Sequence, residues 1–247
     1  MRLWLSGAAL VLLFLLVLGS TAPAHLVGRA LPADTIRLSG YSGTIWEGEA
    51  SSASVVTDEG WVQLGRVQWS LSQLYLLLLS PTADIESNWG QQRLKANVRL
   101  RPSGDIQVRG LDSSFSAALI KRWLPINLRG DVNVMVHELV LSEGEPQQGR
   151  GRVVWQRAAW RGTRGSRPLG DYVMQFNIPA ARQVRGEVST LAGPVRIEGS
   201  MNVDGRQYVV DARLSSDKPF DPELSNALTL MAVPEAGGFR LKFESEF

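Results

Sequence analysis

From about residue 35 onward the chain alternates apolar and polar side chains with a period of two, and that alternation limits its fold more than any other feature. Leu94, Ala96, Val98 and Leu100 alternate with Lys95, Asn97, Arg99 and Arg101. Val132, Val134 and Val136 alternate with Asn133, Met135 and His137, and Tyr208, Val210, Ala212 and Leu214 with Gln207, Val209, Asp211 and Arg213. Phe239, Leu241 and Phe243 repeat the pattern against Arg240, Lys242 and Glu244. Successive strand side chains point to opposite faces, so this period describes a sheet with one apolar and one polar face. Pro102-Ser103-Gly104-Asp105 and Asp204-Gly205 punctuate the runs and suit hairpin turns. The expected fold class is mainly β, with a curved antiparallel sheet as its body.

Two segments read as helix. Asp112 to Trp123 offers Asp112 as a cap, Phe115, Leu119 and Trp123 at fourfold spacing, and Pro125 as a stop. Asp221 to Met231 offers Asp221 as a cap, Pro222 at the first helical position, and Leu224, Leu228 and Met231 on one face. The pattern around Leu71–Leu77 is ambiguous and allows a short helical turn.

The amino terminus has a different character. Leu3 to Leu18 contains one polar side chain, Ser6, and residues 3–24 carry no charge. At about 1.5 Å per residue a helix of that length just spans a hydrocarbon core of roughly 30 Å. A cleaved signal peptide competes with this, because Ala22-Pro23-Ala24 resembles a processing site. Pro23 within that site and the bare segment before the apolar run favour an uncleaved transmembrane helix over 1–24. Either way the remainder is exported.

The chain also echoes itself. Gly65-Arg66-Val67-Gln68-Trp69 recurs as Gly151-Arg152-Val153-Val154-Trp155, and Gly104-x-Ile106-x-Val108-x-Gly110 as Gly193-x-Val195-x-Ile197-x-Gly199. The nearly equal offsets predict two similar strand-rich halves, 36–125 and 126–247, after a linker over 25–35.

Chemistry is scarce. There is no cysteine, which excludes disulfides, thiolate metal sites and thiol catalysis, and only two histidines, His25 and His137. A formal net charge of +2 argues against a nucleic-acid binder. His137-Glu138 lacks the second histidine of a zinc-protease helix. Glu47 and Glu49 share a strand face but have no partner that would make them an acid/base pair. Gly149-x-Gly151 lacks the third glycine of a nucleotide loop. No catalytic residue, cofactor site, metal site or small-molecule substrate is expected.

Two features remain. Arg150, Arg152, Arg157, Arg161, Arg164 and Arg167 lie between Gly149 and Pro168 without one acid among them. Such a patch suits anionic headgroups or an acidic partner, or else keeps a strand edge and loop from aggregating. The second feature is Gly43-Thr44-Ile45-Trp46-Glu47-Gly48-Glu49-Ala50, which reads as a tight turn into a strand with a buried tryptophan, Ile45 and Trp46 facing opposite ways.

That box, with Leu38-Ser39-Gly40 before it, Val67-Gln68-Trp69-Ser70-Leu71 after it, and the later Gly151-to-Trp155 and Leu169-Gly170-Asp171-Tyr172 segments, resembles the type II secretion system protein N family (general secretion pathway protein N). Gly43, Thr44, Trp46, Gly48, Ala50, Trp69 and Trp155 carry the resemblance. The resemblance implies a single-pass inner-membrane protein with its bulk in the periplasm of a diderm, Gram-negative bacterium. It implies a non-enzymatic part in exporting folded proteins across the outer membrane. Partners would be other secretion components of the inner membrane and periplasm, and membrane lipid through the N-terminal helix. Amphipathic sheets behind a membrane helix also resemble AsmA-like lipid-handling proteins with an apolar β-trough, and the aromatic strand before Phe247 resembles the closing strand of an outer-membrane barrel.

Overall fold

The computed structural model describes residues 19–57, 60–73, 75, 79–122, 127–163, 165–230 and 232–246. Most of the expected membrane span, residues 1–18, falls outside them. Among the described residues no helix is long and apolar enough to cross a membrane.

The chain divides into two compact units between Gly90 and Gln91. The first holds α1 (His25–Ala30), β1 (Ile36–Gly43), β2 (Glu47–Thr57), β3 (Gly60–Leu71) and β4 (Thr82–Trp89). Its strands pair antiparallel in sequence order. The second holds β5 (Gln92–Leu100), β6 (Ile106–Ser116), a 3-10 helix (Ala117–Arg122), β7 (Leu128–Ser142), β8 (Glu145–Gly162), β9 (Gly165–Ile178), β10 (Gln183–Ala192), β11 (Val195–Asp204) and β12 (Gln207–Ser216). It then adds α2 (Pro222–Thr229), β13 (Val233–Glu235) and β14 (Gly238–Glu246). Here too each strand pairs antiparallel with its successor, except that β14 lies beside β12 and β13 flanks it on the outside.

The period of two becomes a two-faced sheet because the register keeps like opposite like. In the second unit one rung runs Ser113, Val134, Val153, Met174, Val188, Gly199, Ala212, Leu241 across eight strands. The adjacent rung on the other face runs Asp112, Met135, Arg152, Gln175, Glu187, Ser200, Asp211, Lys242. Slipping any strand by one residue would exchange these faces.

Helical coverage is local. α2 closes one corner, where Leu224 joins Ala158, Trp160, Leu169, Tyr172 and Val195, with Leu228 and Phe220 against them. As the sequence predicts, Asp221 caps this helix by accepting from the Glu223 backbone N–H at 3.0 Å, and Pro222 opens it. Met231, at the end of the expected helix, lies outside the described residues.

The other expected helix is corrected. Asp112 to Ser116 continues β6, with Asp112 opposite Met135 and Phe115 opposite Val132. Only Ala117–Arg122 is helical, as a 3-10 turn, and Trp123 lies outside the described residues. Phe115 stands on the strand and Leu119 in the 3-10 helix, so their fourfold spacing spans two elements, and the strand alternation itself shifts once, at the β6 irregularity beside Gly110, whose φ is +56°. Leu71 ends β3, Gln73 and Tyr75 after it are helical, as the expected turn there requires, and Leu74 and residues 76–78 lie outside the described residues. α1 occupies positions that the sequence reading assigns to a linker.

Candidate functional site

The Gly43–Ala50 box joins β1 to β2. Gly43 leaves β1 with φ +80°, a conformation that suits glycine. The Thr44 hydroxyl then accepts from the backbone N–H groups of Trp46 at 3.3 Å and Glu47 at 3.1 Å, and the Thr44 N–H donates to the Glu47 carbonyl at 2.8 Å. A hydroxyl held this way substitutes for backbone partners in a tight turn. Ile45 and Trp46 therefore sit in the connection itself, not on opposite faces of a strand. Trp46 is half-buried, and its indole N–H donates to the Gly19 carbonyl at 2.8 Å.

The buried tryptophan is Trp69 on β3, opposite Gly48. Its indole N–H donates to the Ile45 carbonyl at 3.1 Å. A Cβ on Gly48 would lie 2.5 Å from Trp69 Cζ2, so glycine is what leaves room for the ring beside β2. Ala50 is fully buried beside it, with Ala24, Leu38, Tyr41, Val27 and Leu71 completing the cluster.

Ala24 comes from the chain that follows the apolar N-terminal run, and the box grips that chain by its backbone. Ile45 N–H donates to the Ala22 carbonyl at 2.9 Å, Ala24 N–H to the Gly43 carbonyl at 3.2 Å, and Pro23 bridges Thr44. α1 then lays Gly28 against the Tyr41 ring. The box is thus a clamp for residues 19–30. These contacts were missed in the sequence, where the residues gripped, Ala22-Pro23-Ala24, resemble a processing site.

Trp155 repeats the arrangement of Trp69. It stands opposite Val132 and donates its indole N–H to the Arg129 carbonyl at 3.0 Å. Each indole therefore reaches the carbonyl three residues before its cross-strand partner: Ile45 before Gly48, Arg129 before Val132. Trp155 packs on Tyr172 at 5.7 Å between ring centroids, and burial, with the nearby Asp171 charge, pushes the Tyr172 phenol well up from its ordinary value.

The arginine patch is dispersed by the fold. β8 is bonded on both sides, to β7 and β9, so its arginines protect no open edge. Arg150 and Arg152 share a face, and Arg152 lies on the Met135 sulfur at 3.2 Å. Arg157 pairs with Asp131, and its backbone N–H donates to Asp171 at 2.6 Å. Arg167 lies 3.4 Å from the Asp221 carboxylate at the start of α2. Arg161 uses its backbone N–H on the Asn127 carbonyl, and Arg164 lies outside the described residues. Arg150 lines an open depression of about 450 Å³, with His137, Arg185, Gln175 and Glu187, and Arg157 lines another of about 380 Å³, with Pro168, Gly170 and Asp171.

The remaining candidates have plain partners. Glu49 accepts from Gln68 at 3.1 Å, and Glu138 accepts from the buried Gln107. Gly149 and Gly151 lie within β8, where a Cβ on Gly151 would meet the Phe176 ring at 2.7 Å. Among the described residues no three acidic, histidine or cysteine side chains come close enough to hold a metal ion.

A family model described as "Type II secretion system (T2SS), protein N" matches residues 34–242. The chain belongs to the type II secretion system protein N family. It is 26% identical over 245 residues to the type II secretion system protein N of Vibrio cholerae serotype O1, covering 92% of this chain and 93% of that protein. The protein of the same name in Aeromonas hydrophila is 23% identical over 234 residues, 90% of each. No solved structure matches. The protein N match takes in β1, the whole box and both indole contacts, and begins just after α1.

Proposed function

We propose that the chain is a non-enzymatic component of the type II secretion apparatus, anchored in the inner membrane by a helix over 1–24 with its strand-rich body in the periplasm. There it engages other inner-membrane and periplasmic secretion components. The role we assign to the box formed by Gly43, Thr44, Trp46, Gly48 and Ala50 with Trp69 is mechanical: it fixes the chain leaving the membrane to the first sheet. The clamp of residues 22–24 on 43–45 carries this reading, since a cleaved or loosely linked leader would have no use for it. Family membership supports the secretion role. The repeated indole register supports descent of 36–125 and 126–247 from one duplicated unit.

Deleting the gene should abolish or reduce exoprotein secretion, and full-length chain should restore it. Gly48→Leu, which drives a side chain into the Trp69 ring, should restore it poorly while the chain stays membrane-bound. Normal secretion from the deletion strain, with the apparatus assembled, would remove the secretion role. Release of the body as a fragment beginning after Ala24 would remove the anchor.

The AsmA-like reading keeps one observation in its favour. Val134, Val153, Met174, Val188 and Met201 are only half-buried, on a sheet face that α2 covers at one corner. A photoreactive residue at Met201 that captures phospholipid in cells would support lipid handling, and capture of none would end it.

A further inference from the structure

The first and last strands of the chain differ in how they are guarded. β1 has α1 against it, bends at Gly40 with φ +69°, and hands its end to the clamp. Among the described residues β14 is guarded over Gly238–Arg240 alone, where β13 pairs with it. From Leu241 to Glu246 it has β12 on one side and, among the described residues, no strand on the other. This stretch contains no proline or glycine, and Phe243 is 39% exposed on the apolar face. An edge like this is a template for another strand.

Its charge order selects the occupant. Lys242 precedes Phe243 and Glu244 follows it. An antiparallel copy of the same strand, related by a two-fold axis at Phe243, sets each Lys242 opposite the other copy's Glu244 and Phe243 opposite itself. Opposite charges and paired aromatics across strands stabilise a sheet, and like charges directly opposite destabilise it. Other registers are worse. An axis at Lys242 opposes two lysines and calls on Arg240, whose outer side β13 already holds. An axis at Glu244 opposes two glutamates and sets Phe243 against Ser245. A two-fold contact must be self-complementary, and the Phe243 register is.

We propose that a second copy of this chain pairs antiparallel along the free edge of β14, over residues 241–245, with its two-fold axis at Phe243. The pairing joins the apolar faces of two second units into one sheet.

The chain has no native cysteine, so single cysteines test the register in the full-length protein in its membrane. Phe243→Cys should give, on mild oxidation, a disulfide-linked species of twice the 27.1 kDa mass. Ser245→Cys alone should not. Its counterpart would sit four residues away along the ladder, roughly 13 Å, beyond the ~7 Å that a disulfide spans. Leu241→Cys mixed with Ser245→Cys should link and leaves Phe243 in place. In the Phe243→Cys background, Lys242→Glu and Glu244→Lys should each lower the linked fraction by about tenfold, and the two co-expressed should recover it. Four results would overturn the proposal: no doubled species although the cysteine reacts with a thiol reagent, linkage to a different protein, equal linkage from Ser245→Cys, or linkage indifferent to the charge changes.

Discussion

Each unit buries a tryptophan-centred cluster beneath a short helix, but the two helices are held by different means. α2 carries its own start signal and its own contacts: Asp221 caps it, Pro222 opens it, Leu224 is buried, and Glu223 receives the Thr163 backbone and hydroxyl donors. α1 has no side-chain cap, no acid in its first turn and no buried residue of its own. A six-residue helix of this kind has little stability by itself. It is placed by the backbone bonds that Ala22 and Ala24 make with the box. The second cluster is closed by a helix the sequence specifies locally. The first is closed by whatever chain arrives from the amino terminus. That dependence is what a mechanical coupling between an anchor and a sheet requires.

Truncating the two corresponding tryptophans would separate the clusters most widely. Trp69→Ala should cost about 3–5 kcal/mol, because Trp69 is buried and fills the space Gly48 leaves for it. Trp155→Ala, at a half-buried ring, should cost less, roughly 1–3 kcal/mol. Denaturant unfolding of the two variants followed by hydrogen exchange reads the difference unit by unit. Equal losses would mean that the shared indole geometry, and not the burial, sets the energy. Trp69→Ala should also expose residues 22–30 to protease, which Trp155→Ala should not.

Leu224→Ala tests the other side of the comparison. Removing the one buried side chain of α2 should cost about 2–4 kcal/mol and free the helix from Trp160 and Leu169, with the first unit unchanged. Asp221→Ala removes the cap and the Arg167 partner together and should cost about 1 kcal/mol, read as faster exchange over 222–229. No equivalent substitution exists in α1, whose cap position, Ala24, is buried in the Trp69 cluster.

The sheet was legible in the sequence because its two faces differ in polarity at almost every rung, and period two leaves few alternatives. α2 was legible for the same local reason: cap, proline and apolar face agree. β6 was misread between Asp112 and Ser116 because one irregularity beside Gly110 shifts the alternation, and Phe115 then falls four residues before Leu119 of the 3-10 helix. The clamp was not legible at all. It consists of backbone bonds between 22–24 and 43–45, and backbone groups are the same in every residue but proline. The dispersal of the arginines was hidden too, since the acids that meet them, Asp131 and Asp221, lie far away in the chain.

The smallest expected effect concerns charge and belongs to the second unit. The guanidinium of Arg240 bonds Asp211 and holds its carboxyl below the usual value of 3.8, and Arg182 does the same for Glu145 from 4.5. A carboxyl whose folded value is lowered stabilises the fold fully above its unfolded value. That contribution is lost as the pH falls through the lower folded value. The unit should therefore lose a small part of its stability below about pH 4.5, and none of that part between about pH 5 and 7. Because these pairs stand in solvent, salt should blunt the effect. Arg240→Met with Arg182→Met should flatten the acid limb of the unfolding midpoint against pH and leave the neutral limb parallel to that of the parent chain. A limb that stays as steep would move the acid sensitivity to carboxyls other than these two.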